Sequence, residues 1–109
     1  MIEAIVTIVV SPEKRNNILK SMRSIVGPTR AQQGCVHCCV HIDACDANVL
    51  TLLETWETRD DLQRHVRSDL YRTVLSIMES SVERPEVAFR TISKSEGLEA
   101  VEKLMQGGS

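Results

Sequence analysis

The run Ile2 to Val10 is almost continuously apolar and rich in β-branched residues. A strand with one wet face alternates, whereas a strand buried on both faces reads as an unbroken apolar run, so this segment is predicted to be central in a sheet. Val49 to Glu57 is a second run of largely the same character. The rest of the chain has to be arranged around these two.

After the first run, Ser11-Pro12-Glu13 supplies an N-cap, a proline at the first helical position and an early acid, which predicts a helix start. Ile18, Leu19, Met22, Ile25 and Val26 form its apolar stripe. Gly27-Pro28 is expected to stop it. Thr29 to Gly34 is a polar connection. Cys35 to Asp43 then alternates, with Val36, Cys38, Val40 and Ile42 on one face and Cys35, His37, Cys39 and His41 on the other. Ala44 to Asn48 reads as a hairpin turn. A hairpin built on it pairs Ile42 with Leu50, Val40 with Leu52, Cys38 with Glu54 and Val36 with Trp56, and a one-residue slip would reverse the faces.

The strand that ends at Glu57 runs straight into a helix. Thr58 is a good N-cap, Asp61 lies three residues on, and the helix should begin at about Arg59. Leu62, His65, Val66 and Asp69 share one face of it. Ser68-Asp69 looks like a break with a fresh N-cap. Leu70, Val74, Ile77 and Met78 continue an apolar face to about Val82, and Arg84-Pro85 ends it. Val87 to Ile92 is a last strand. Ser95 is positioned to cap a C-terminal helix through Leu98, Val101, Leu104 and Met105, and Gly107-Gly108-Ser109 is a frayed end.

Strand, helix, strand, strand, helix, strand and an extra helix is the α+β, ferredoxin-like split βαβ order, with an antiparallel four-stranded sheet. Its first and third strands are central, which agrees with the two apolar runs. Two helices cover one sheet face only. The other, with Ile5, Val9, Val49 and Leu53, would be exposed in a monomer, which predicts a homodimer through the open sheet face.

At 109 residues, 42% hydrophobic and 26% charged, the chain is most simply one compact soluble domain. A net charge of -2 and 3% aromatics provide neither the basic footprint nor the stacking residues of a nucleic-acid binder. The N-terminal apolar run has no basic residues ahead of it and is too short to span a bilayer. A cytoplasmic protein with no membrane partner is expected. Cys35, Cys38, Cys39 and Cys45 lie in one segment, and in a reducing compartment such thiols are free, metal-bound or reactive.

Leu53-Glu54-Thr55-Trp56, followed by Leu62, His65, Ser68 and Leu70 and preceded by the Gly34-Cys35-Val36 strand entry, resembles the antibiotic biosynthesis monooxygenase (ABM) domain family. The resemblance covers residues 1–93, with 94–109 as a C-terminal helical extension beyond the family core. It implies a dimeric α+β barrel with one cavity per subunit between sheet and helices. The activity it implies is cofactor-independent monooxygenation of an aromatic polyketide or quinol-like molecule. A non-enzymatic small-ligand-binding or dimerisation domain, or an isomerase, is the alternative on the same fold. Haem-degrading relatives carry a Trp where this chain has His65, a haem-ligating His where it has Val74, and a first-strand Asn where it has Ile5, Val6 and Thr7. No cofactor is therefore implied.

In the functional reading Trp56, Cys38, Leu52 and Met22 or Met78 line a slot for a flat aromatic substrate, and Glu54 or His65 takes its phenolic proton. The electron-rich anion then reacts directly with O2, a step that needs a base poised near neutral pH. In the plainer reading Trp56 is a core residue, His65 donates to a backbone carbonyl, and Glu54 pairs with Arg64, Arg67 or Arg90. His37, Cys39 and His41 stand two apart on a strand and could share a zinc ion. Against this, Cys35 and Cys38 are expected on opposite strand faces and paired Cys-x-x-Cys motifs are absent, so no metal is expected. The terminal helix is expected to cap an exposed edge; packing on a partner subunit or lidding the cavity are its other options.

Overall fold

The computed structural model describes residues 1–107; Gly108 and Ser109, from the expected frayed end, lie outside the described residues. The elements are β1 (Ile2–Val9), α1 (Arg15–Arg30), β2 (Cys35–Ile42), β3 (Val49–Trp56), α2 (Arg59–Val66), α3 (Leu70–Glu79), β4 (Glu86–Thr91) and α4 (Glu99–Met105). The strands form one antiparallel sheet in the order β2-β3-β1-β4. This is the expected ferredoxin-like order, with the two apolar runs at its centre.

Ile2, Ala4, Val6 and Ile8 of β1 and Leu50, Leu52, Glu54 and Trp56 of β3 point to the helix side and are buried. Ile18, Leu19, Met22, Ile25, Val74 and Ile77 close over them. On the other side Ile5, Val9, Val49 and Leu53 are only partly covered, in a row that continues into Cys39 and Ala88 on the outer strands.

Four local expectations give way to tertiary context. The Ser11-Pro12-Glu13 segment forms a turn, and α1 begins at Arg15 after an uncapped Lys14. Pro28 lies inside α1, which runs to Arg30 because the Ala31 N–H bonds to the Gly27 carbonyl, the Gln32 N–H to the Thr29 carbonyl, and the Arg30 Nε donates to the Cys38 carbonyl at 3.0 Å. Ser68 closes α2 instead of opening α3: its hydroxyl donates to the His65 carbonyl at 2.6 Å. Among the described residues Ser95 caps no helix; the N-cap of α4 is Leu98, and Glu99 Oε1 accepts from the Gly97 N–H at 3.1 Å.

The β2–β3 register follows the hairpin prediction from Ile42 opposite Leu50 to Cys38 opposite Glu54, and then breaks. A bulge at Val36 puts Cys35 opposite Trp56. Val36 is turned outward, and Cys35 and Cys38 lie on the same helix-facing side. The predicted Val36–Trp56 pair and the opposite facing of the two thiols are both corrected by this single extra residue.

Candidate functional site

The junction between β3 and α2 organises the site. Glu54 and Trp56 lie two apart on β3, so both face the helices. The chain turns at Thr58, whose Oγ1 accepts from the Asp61 N–H at 3.2 Å and donates to the Asp61 carboxylate at 2.8 Å. Those bonds, with Arg64 at 2.9 Å, hold the Asp61 carboxyl below its usual range. Gly34 makes the approach from β2 possible. Its φ is +82°, its carbonyl accepts from the Glu57 N–H at 2.9 Å, and a side chain there would overlap the Asp61 carboxyl. The loop containing Gln32 is thereby fastened to the start of α2.

Nearly two turns into α2, His65 is 1% exposed and Glu54 3%. His65 Nε2 lies 3.2 Å from Glu54 Oε2, and Trp56 Nε1–H donates to Glu54 Oε1 at 3.1 Å. The imidazole stacks on the Trp56 indole at 4.6 Å between centroids and meets the Tyr71 ring edge-on at 5.3 Å. Neither partner of the plainer reading is taken: the His65 ring bonds to side chains, and Glu54 pairs with no arginine among the described residues. Arg64 goes to Asp61, and Arg90 to Glu3.

Protons can be assigned by elimination. The Ser68 hydroxyl spends its proton on the His65 carbonyl, so it accepts from Gln32 Nε2 at 3.3 Å. That orientation turns Gln32 Oε1, an acceptor only, towards His65 Nδ1 at 2.6 Å, and Nδ1 must carry a hydrogen. A neutral imidazole then presents the bare Nε2 to Glu54, and a bare nitrogen facing a bare carboxylate makes no bond. One proton therefore lies between Glu54 and His65. The pair is an acid–base couple, held on one side by an indole and on the other by an amide.

A cleft of about 270 Å3, lined by Gln32, Gln33, Asp61, Arg64, His65 and Ser68, reaches this couple from outside. Glu54 and Trp56 do not line it. The His65 side chain is itself fully covered, with Gln32 bonded to its Nδ1, so a molecule in the cleft meets the imidazole only where Gln32 gives way.

The other predicted wall residues are distributed between two packing clusters. Cys38, Leu52 and Met22 are fully buried together with Val74 and Ile77, and Met78 is half-buried against them. Trp56 packs separately with Ile2, Ala4 and Leu62, and Cys35 touches both groups. The structure thus brings Trp56, Glu54 and His65 together and sets Cys38 opposite Glu54 on the neighbouring strand. It does not place Met22 or Met78 in the cluster around the Trp56 ring. Burial, then the Glu54 charge, pushes the Cys38 thiol up to about 12 and also raises Cys35 and the Tyr71 hydroxyl. These thiols stay protonated and are poor nucleophiles.

On the open face, Cys39 Sγ lies 3.2 Å from His37 Nε2 and 2.9 Å from His41 Nε2. The three stand in file along the strand, and among the described residues no group of three or more His, Cys, Asp or Glu gathers around a common point that could hold a metal. All four cysteines are free thiols.

Two members of the site are absent from the sequence reading. Tyr71 is three residues before Val74 on the same helix face, so helical periodicity was sufficient to find it. Gln32 sits in a loop without periodicity. Only the Gly34 turn, which brings it back against α2, reveals its position.

The sequence model of the family described as antibiotic biosynthesis monooxygenase matches residues 1–75. No functionally curated protein matches the chain. Among solved structures, one described as an antibiotic biosynthesis monooxygenase superposes with a TM-score of 0.77 at 22% identity, over 86% of this chain and 100% of that one. A Mycobacterium tuberculosis protein gives 0.79 at 21%, over 88% and 98%. A Deinococcus radiodurans protein gives 0.81 at 15%, over 90% and 98%. At these identities the superpositions speak for the fold.

Proposed function

Because the chain belongs to the antibiotic biosynthesis monooxygenase family, we propose that it is a cofactor-independent monooxygenase acting on an aromatic polyketide or quinol-like molecule. The observation that carries this reading is the buried Glu54–His65 couple, whose Nδ1 is bonded to Gln32, a residue that itself lines a cleft. In the resting arrangement Gln32 occupies Nδ1. A phenolic hydroxyl entering the cleft takes the place of the Gln32 carbonyl, Nδ1 gives up its proton to solvent, and Glu54 holds the remaining proton on Nε2. The imidazole then accepts the phenolic proton at Nδ1.

The phenolate is electron-rich enough to pass electrons to O2 directly. For an anthrone-like substrate, a ring CH2 becomes a carbonyl and the second oxygen atom leaves as water. The carbon supplies all four electrons, so the balance requires no external reductant. Trp56 stacks on the imidazole and fixes the Glu54 carboxylate, a positioning role; Cys38 lies opposite Glu54 on the neighbouring strand, and Leu52 belongs with it to the adjoining core. We further place the protein in the cytoplasm, which the four free thiols support, and infer a homodimer through the Ile5, Val9, Val49 and Leu53 face. Among the described residues no helix is long and apolar enough to cross a membrane.

The test is oxygen uptake by metal-stripped protein with a panel of hydroquinones and anthrone-like phenols. Uptake is expected to survive stripping and to fall by roughly 100-fold or more in His65→Ala. Absence of uptake across the panel, with saturable binding of the same phenols, would turn the reading towards a binding domain or an isomerase.

A further inference from the structure

The helices cover β1, β3 and the Cys38–Val40 part of β2 but leave the same side of β4 bare. Val87 and Phe89, which lie opposite the buried Val6 and Ala4, are 44% and 49% exposed. Between that strip and α2 runs a cleft of about 380 Å3. Leu62, Val66 and Phe89 form its apolar floor, and Arg59, Arg67 and Asp60 stand at its rim. Among the described residues neither arginine is in an ion pair.

The second unpartnered surface is α4. Leu98, Val101, Leu104 and Met105 fall on one helical face and are 47–84% exposed. Glu99 and Glu102 flank that face on one side. No residue of α4 is buried. The radius of gyration, 16.1 Å, exceeds the roughly 13 Å of a compact chain of this length, as expected if the C-terminal segment stands off the body. A seven-residue helix does not hold itself in water, so it needs a surface to lie on. The groove of its own chain is left uncovered.

We infer that α4 docks in trans, its Leu98, Val101, Leu104 and Met105 face lying in the α2–β4 groove of a second copy of this chain, with Glu99 and Glu102 opposite Arg59 and Arg67. The apolar surfaces match in kind and the rims in charge, with net positive charge at the groove and negative charge beside the helix. A two-fold pair of such exchanges is self-complementary, so each copy both gives and receives a helix and the assembly closes at two. This rests on the homodimer inferred above and adds to it a contact that the sheet face does not supply.

Charge exchange between two variants tests the docking. One variant carries Arg59→Glu and Arg67→Glu, the other Glu99→Lys and Glu102→Lys. Each alone opposes like charges, and only a mixed pair opposes unlike charges at both grooves. Native mass spectrometry of the equilibrated mixture is expected to give a heterodimer excess of roughly tenfold over either homodimer. Circular dichroism of each variant confirms that the surface changes leave the fold intact. A statistical mixture, with heterodimer as one half, would overturn trans docking while leaving the sheet-face dimer standing, since docking within one chain gives no preference between partners. Monomers in all three samples would overturn both. As a second readout, a chain ending at Ser95 is expected to dimerise roughly tenfold more weakly than the full chain; equal affinity would count against the docking and not against the oxygenase reading.

Discussion

The two faces of one sheet carry two histidine clusters built from similar parts and set to opposite ends of the same physical scale. On the helix side, His65 sits between Glu54 and Gln32 with each ring nitrogen bonded and essentially no exposure. On the open side, His37 and His41 flank Cys39 at comparable distances but in an exposed row. Proximity is the same; burial is not. Where water is excluded, each polar atom of the cluster depends on its one partner, and removing a partner leaves a buried group without a bond. Where water is present, each group has an alternative partner and the contact constrains little.

The largest expected difference between them comes from deletion. Glu54→Ala should destabilise the fold by about 2–5 kcal/mol, because the buried His65 Nε2 and the Trp56 N–H both lose their partner. Cys39→Ala should remain within about 1 kcal/mol. Urea unfolding of the two variants checks this, and equal losses would erase the contrast. The next effect is one of pH. The Cys38 thiol ionises near 9 when unfolded and about 12 when folded, so its contribution is complete below pH 9 and is lost as pH rises towards 12. Cys38→Ala should therefore flatten the alkaline limb of the stability curve in that window, and Cys39→Ala should alter it less.

A smaller effect is expected where the buried cluster is fastened. Gly34→Ala forces an L-residue into a positive φ and against Asp61, which should reduce stability by about 1–3 kcal/mol and loosen Gln32. A long-range 1H–15N spectrum of His65 would then report a change in which ring nitrogen carries the hydrogen. The smallest effect sharpens the comparison from the other side. Thr29 is fully buried, and its hydroxyl has no hydrogen-bond partner among the described residues. Thr29→Val should be neutral or stabilising by up to about 1 kcal/mol, measured as thermal midpoint.

Much of this was legible in the chain, for reasons that also mark where legibility ended. Ile2–Val9 and Val49–Trp56 announce central strands because burial on both faces leaves no polar position to interrupt them. The cap at Thr58 and the face carrying His65 follow from local hydrogen bonding and a 3.6-residue period. What local rules cannot see is an inserted residue or a contact across the chain. The bulge at Val36 leaves the strand apolar enough to read as regular, yet it rotates Cys35 inward. Pro28 reads as a stop, but the chain beyond it is held in helix by Arg30 reaching the Cys38 carbonyl. Gln32 acquires its role only because Gly34 folds its loop onto α2, more than thirty residues away in sequence.

The bulge at Val36 also bears on how this protein behaves in a crowded solution. β2 is an outer strand of the sheet, and a flat outer strand offers a row of free N–H and C=O groups on which another chain can pair. An extra residue near its entry twists that row out of register, so an incoming strand finds a discontinuous ladder. The same irregularity that turns Cys35 towards Trp56 thus makes this end of the β2 edge a poorer template for another chain.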